Sequence, residues 1–191
     1  SEQQIDQKLV ERVQQGDKRA FNVLVQKYQH KVMNLISRYV KNQGDVPDVA
    51  QEAFIKAYRA LPGFRGESAV YTWLYRIAVN SAKNYLVSQG RRPPANDIEP
   101  EEAEYYEGAS ALRDVSTPES MVLTDEIRQM VFDTVETLPE DLKTAITLRE
   151  LAVLSYEEIA EVMECPVGTV RSRIFRAREA IDKQVKPLIE R

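Results

Sequence analysis

Nearly every apolar residue of this chain recurs at a spacing of three or four, and the period-two alternation of a strand is almost absent. That periodicity predicts an all-α fold, because a helix with one apolar face must bury it against other helices. One stretch breaks the pattern. From Pro93-Pro94 through Ile98-Glu99-Pro100-Glu101-Glu102 to Ser116-Thr117-Pro118 the chain is acidic, proline-rich and without helical period, which is linker composition. The expected architecture is two small helical domains, 1–92 and 121–191, joined by a flexible acidic linker over 93–120. Fully extended, such a linker could span up to ~90 Å at ~3.3 Å per residue. Tyr105 and Tyr106 within it either pack locally or offer handles to a partner surface.

Scarce residues narrow the function. The 191 residues are 43% hydrophobic and 29% charged, an ordinary globular balance. One cysteine, Cys165, excludes an intrachain disulfide and a thiolate metal cluster, and one histidine, His30, leaves little for a zinc site or a Ser-His-Asp triad. Seven glycines occur, none in a phosphate-cradling motif. The composition therefore favours a binding protein over an enzyme, with no metal and no cofactor. No apolar run approaches the ~18 residues that span a bilayer, and Ser1-Glu2-Gln3-Gln4-Ile5-Asp6 lacks a signal pattern. The expected compartment is the cytoplasm.

The net charge of −4 conceals four blocks. Residues 1–92 carry a net +7, residues 93–120 a net −7, residues 121–166 a net −8 and residues 167–191 a net +4. Solvated helix faces of arbitrary sign are the plainer reading. Segmentation this sharp favours a partner whose phosphates touch only the two basic pieces.

The first block reads as a helical bundle. A helix from about Asp6 to Gln15 has Ile5, Leu9, Val10 and Val13 as its apolar stripe, and Gly16-Asp17 breaks it. A longer helix runs from about Lys18 to Tyr39, with His30 on its surface. Asp45 as N-cap and Pro47 in the first turn open the next one. At 100° steps its buried face is Val46, Val49, Ala50, Ala53, Ala57 and Leu61, and its outward face is Asp48, Gln51, Glu52, Ile55 and Arg59. An isoleucine ringed by acidic and amide side chains is either an ordinary exposed residue or the centre of a protein-docking patch.

A turn-rich loop centred on Phe64 and Arg65 then leads into a helix over Tyr71–Leu86. Spacing places Leu74, Ile77, Ala78, Ser81 and Tyr85 inward and Thr72, Arg76, Asn80 and Lys83 outward, with Tyr71, Trp73 and Tyr75 at the margins. Rings stack on unpaired bases for ~1–3 kcal/mol each while cations hold phosphates, and an amide can read a base edge. Phe64, Trp73 and Tyr75 are thus either core aromatics or contacts to single-stranded nucleic acid.

In the last third, Thr117-Pro118-Glu119 opens a helix and Leu138-Pro139-Glu140-Asp141 starts another. Ser155-Tyr156-Glu157-Glu158 is a capping box for a short helix to about Met163. Glu164-Cys165-Pro166 turns, with Cys165 a small buried turn residue, and Val167–Ile181 forms a basic helix. Short helix, tight turn and basic helix make a helix-turn-helix. Val170, Ile174, Ala177 and Ile181 must pack inward. Gly168, Thr169, Ser172, Phe175, Arg176 and Glu179 lie opposite, flanked by Arg171, Arg178 and Arg173. Arg176 or Arg171 could grip a guanine bidentately, and Glu179 either accepts from cytosine or pairs with Arg176 or Lys183.

These motifs, in this order, resemble the extracytoplasmic-function (group IV) sigma factors of bacterial RNA polymerase, particularly their sigma-E branch. The carrying runs are Asp48–Arg59, Phe64-Arg65-Gly66 with Tyr71–Asn80, Leu138–Asp141 through Ser155–Ala160, and Cys165–Arg173. The resemblance implies a region 2 helical bundle and a region 4 helix-turn-helix. It implies that Asp48, Gln51, Glu52 and Ile55 dock on the β′ clamp helices of core polymerase, with the β flap as a further contact. Phe64, Thr72, Trp73, Tyr75, Arg76, Asn80 and Lys83 would recognise and melt the −10 element as a single strand. Thr169, Arg171, Ser172, Arg173, Phe175 and Arg176 would read the −35 element as duplex. The linker would follow the RNA-exit path, and an anti-sigma factor, often membrane-anchored, would hold the protein inactive until an envelope stress response. Rival readings are a stand-alone helix-turn-helix regulator, which would need dimer symmetry, and a protein-binding adaptor, which would not need stacking aromatics and exposed arginines together.

Overall fold

The computed structural model describes residues 1–90 and 118–190, and the described residues form helices without a strand. The expected linker contacts and the Thr117 cap lie outside the described residues. In the first half, α1 spans Glu2–Gln14, α2 Lys18–Ser37, α3 Val46–Ala60 and α4 Val70–Ser88. In the second, α5 spans Pro118–Thr137, α6 Glu140–Glu150, α7 Tyr156–Met163 and α8 Val167–Ile189.

Local chemistry sets most boundaries. Helix α1 begins at Glu2 rather than Asp6, because the Ser1 carbonyl accepts from the Gln4 and Ile5 N–H groups at 3.1 and 3.2 Å and closes an earlier first turn. The apolar stripe expected on it also shifts. Ile5 is 57% exposed, while Asp6 is buried beside Val10. Burying a carboxylate is tolerable only when it is paired, and Asp6 accepts from Lys27 Nζ (2.7 Å) and from the Tyr28 hydroxyl. Gly16, at φ +100°, makes the left-handed turn between α1 and α2. Asp17 then caps α2 by accepting from the Arg19 and Ala20 N–H groups at 3.0 and 3.4 Å.

A 3-10 turn over Gln43–Asp45 precedes α3. Asp45 stands at the N-cap of α3, but its carboxylate accepts from the Tyr85 hydroxyl rather than capping the helix, which ties α3 to α4. Val46, Val49, Ala50, Ala53, Ala57 and Leu61 are all buried, as their spacing predicts, and Phe54 joins them. Helices α2, α3 and α4 pack pairwise around this stripe. The loop after α3 is held by Gln14, whose Nε2 donates to the Leu61 and Phe64 carbonyls, both at 3.0 Å.

The second head closes around α8. Helix α7 carries a complete capping box: Ser155 Oγ accepts from the Glu158 N–H and Glu158 Oε1 from the Ser155 N–H, both at 3.1 Å. Glu164, at φ +53°, reverses the chain into the turn before α8. Val170, Ile174 and Ala177 are fully buried beneath α5, α6 and α7. The two heads also touch, α4 lying against α7, so that one apolar cluster runs from Val10 to Ala177 across both.

Candidate nucleic-acid and polymerase interfaces

Three surfaces collect the candidate residues. The first is the outward face of α3, where Asp48, Gln51, Glu52 and Ile55 are exposed together. Ile55 is 44% exposed, and Glu52 keeps Lys56 at 3.6 Å one turn on. Its neighbour Tyr58 is also exposed, edge-on to Phe21 of α2 with ring centroids 5.0 Å apart. The i, i+3 spacing from Ile55 marks Tyr58 as part of this face, a signal present in the sequence and unused.

The second surface is built from the loop at Phe64 and from α4. Phe64 and Trp73 are both partly buried, their ring centroids 5.1 Å apart and tilted by 50°, forming an aromatic step at the edge of the bundle. Arg76, Asn80 and Lys83 are partly exposed along the next turns, with Lys83 Nζ 6.0 Å from the centre of the Tyr39 ring. Thr72 and Tyr75 differ from expectation. Each is 1% exposed, because α4 is covered on two sides: by α2 and α3, and by the second head. Tyr75 lies edge-on to Tyr28 at 6.1 Å, and Thr72 Oγ1 donates to Glu158 Oε2 at 3.2 Å.

Glu158 is accordingly a polar hub. Burial would raise its carboxyl, but hydrogen bonds from Tyr71, the Ser155 backbone and side chain, and Thr72 outweigh that and hold it below the usual carboxylate range. Sequence reasoning saw Glu158 only as a cap. Its second oxygen serves a helix 86 positions away in the chain, which no local pattern reveals.

The third surface is the outer face of α8. Arg171, Ser172, Phe175 and Arg176 are exposed and Thr169 is partly so, with Phe175 68% exposed. Gly168 has open space around its Cα, so the helix start can approach another surface closely. Arg173 turns aside to the head's own surface, 3.5 Å from Asp141 and 3.6 Å from Cys165 Sγ, and Arg178 pairs with Glu150 at 2.9 Å. Cys165 itself is half-buried. Arg171 stacks toward Tyr156, 6.0 Å from the ring centre. Among the described residues, no His, Cys, Asp or Glu group could hold a metal, and no helix is long and apolar enough to cross a membrane.

Family models for sigma-70 region 2 and sigma-70 region 4 match residues 24–92 and 128–181. A region 2 head with a region 4 helix-turn-helix is the arrangement of a promoter-specificity subunit. The chain is 70% identical, over the full length of both, to the ECF RNA polymerase sigma-E factor of Escherichia coli strain K12. It is 66% identical over 189 residues to the same-named factor of Haemophilus influenzae, covering 99% of this chain and all of that one. The fold also matches the sigma factor RpoE of Bartonella quintana, solved in complex with the anti-sigma factor NepR. There the TM-score is 0.66 at 21% identity, over 87% of this chain and 96% of that one. The chain belongs to the ECF sigma-E factors of the sigma-70 family, which direct RNA polymerase in transcription initiation.

Proposed function

We propose that this sigma factor bridges core polymerase to two promoter elements, with one task for each of the three surfaces. The α3 face, Asp48, Gln51, Glu52 and Ile55, docks on the β′ clamp helices, acidic and amide groups around one apolar centre giving orientation. Phe64 and Trp73 stack on unpaired −10 bases, Asn80 reads a base edge, and Arg76 and Lys83 hold the strand's phosphates. Thr72, held by Glu158 of α7, and Tyr75, facing Thr147, Leu151 and Ala152, join this set only when the second head is displaced.

The α8 face reads the −35 element in the major groove through Arg171, Ser172, Phe175 and Arg176, with Thr169 and Arg173 on its flanks. This surface carries the reading most directly. Its arginines and Phe175 stand outward over a stripe of fully buried Val170, Ile174 and Ala177.

The proposed boundaries are 1–92, 93–120 and 121–191, the middle segment lying along the RNA-exit path and the second head also meeting the β flap. The protein acts in the cytoplasm, catalyses no reaction itself and takes no cofactor. An anti-sigma factor restrains it until an envelope stress response.

The test is run-off transcription by purified core polymerase on a sigma-E-type promoter. Transcript that depends on this protein is the expected result. No transcript, with the protein alone shifting the same duplex, would replace the reading with a stand-alone regulator.

A further inference from the structure

Helix α1 holds none of the residues assigned to the three surfaces, yet its last residue reaches the loop that carries Phe64. The Gln14 amide nitrogen donates to the Leu61 carbonyl and to the Phe64 carbonyl, both at 3.0 Å. Two carbonyls facing one amide can be served only by its NH2 end, because the amide oxygen would meet two further acceptors. The Phe64 N–H donates to the same Leu61 carbonyl at 3.0 Å, so both polar groups of the Phe64 backbone are held in one knot. The N–H bond is local and closes the turn. The bond to the Phe64 carbonyl comes from 50 positions earlier in the chain.

Both ends of this clamp are anchored. At the α1 end, the Gly16 N–H donates to Val13 and the Asp17 N–H to Arg12, at 2.9 and 3.0 Å. The Asp17 carboxylate also pairs with the Arg12 guanidinium at 2.6 Å, and Val10, one turn before Gln14, is buried in the bundle. At the loop end, Leu61 is buried and lines an apolar cavity of about 20 Å³ with Trp73, Phe21 and Val70. The Trp73 ring therefore rests on the core. The Phe64 ring, 5.1 Å from it, owes its place to the loop. Two residues further on, Gly66 turns the chain at φ +75°, a conformation open to glycine that leaves this stretch little stiffness of its own.

We propose that Gln14 is a positioning residue for −10 recognition: from α1 it holds the Phe64 carbonyl, so that the Phe64 ring stands against Trp73 before a strand arrives. This rests on the assignment of Phe64 and Trp73 to the unpaired −10 bases. A loop ordered in advance loses less freedom on binding. When only a fraction of molecules has the loop in place, the apparent affinity falls by that fraction. Gln14 acts on the loop and not on the strand, so its loss weakens strand binding without removing a strand contact.

The experiment uses the full chain with Gln14→Met, which keeps the side chain's length and neutrality, removes both donors and suits a helix. Gln15→Met makes the same change at the next, exposed position. The chain has a single tryptophan, Trp73, so the emission of the free chain reports the Phe64–Trp73 step directly. Fluorescence anisotropy on holoenzyme assembled with core polymerase reads binding of a labelled single-stranded −10 oligonucleotide and, separately, of a −35 duplex. Gln14→Met is expected to shift Trp73 emission and to weaken strand binding about fivefold, as two exposed hydrogen bonds are lost. Duplex binding stays unchanged, and Gln15→Met matches the parent throughout. Unchanged strand affinity would overturn the proposal. So would weaker strand binding with unmoved Trp73 emission, an equal loss on the −35 duplex, or the same loss in Gln15→Met. A wrong −10 assignment shows separately, because Phe64→Ala would then leave strand binding intact.

Discussion

Ser155 and Glu158 cap α7 reciprocally, each N–H donating to the other's side chain at 3.1 Å. The cap fixes where α7 begins, and through the Glu158 carboxylate it fixes where α7 meets α4. Ser155→Ala should lower unfolding stability by about 1 kcal/mol, the usual worth of an N-cap. Chemical denaturation measures it, and an unmoved midpoint would deny the cap that value.

Ile174 is 1% exposed at the centre of the second head. Ile174→Ala leaves a cavity among Val170, Ala177 and their neighbours, and should cost about 2–5 kcal/mol. A loss well under 1 kcal/mol in the same denaturation assay would mean the head collapses around the gap.

Arg176 is exposed beside Phe175 on α8. Arg176→Ala should weaken binding to the preferred duplex by roughly 1–3 kcal/mol and relax specificity at one base pair. Competition titration against random duplex separates the cases: an equal loss on both would make Arg176 a phosphate contact.

Asn80 is partly exposed, one turn beyond Arg76 on α4. Asn80→Ala should spare −35 duplex binding and impair opening of the −10 region, read by permanganate reactivity of unpaired thymines. Undiminished reactivity would remove Asn80 from base recognition.

Glu52 is exposed on α3 near Ile55. Glu52→Arg should weaken association with core polymerase while leaving the fold intact, because only a surface charge is reversed. Co-purification with core at unchanged yield would take the docking role away from this face.

Helix periodicity alone places the buried stripe of α3 and most of that of α8, where Ile181 is only partly buried. Val46, Val49, Ala50, Ala53 and Ala57 on α3, and Val170, Ile174 and Ala177 on α8, are buried as their spacing requires. The outward sets on the same helices follow by subtraction, because each helix is covered on one side only. Helix ends and the α1 stripe are less legible. Ile5 turns outward and Asp6 is buried instead, its carboxylate paired by two donors that come from α2.

Helix α4 marks the limit. Its 100° steps assign Thr72 outward and Tyr75 to the margin, on the premise of one covered face. The second head covers another, and both residues are buried. What the sequence by itself determined was the set of helices, their inward faces, the helix-turn-helix and the separation of charge along the chain, all properties of neighbours a few positions apart. Only the tertiary structure decided that the acidic block closes over the basic one, because the pairs that hold it, Arg38 with Glu136 and Thr72 with Glu158, join residues 98 and 86 positions apart. Contacts at that separation leave no periodic trace in either helix.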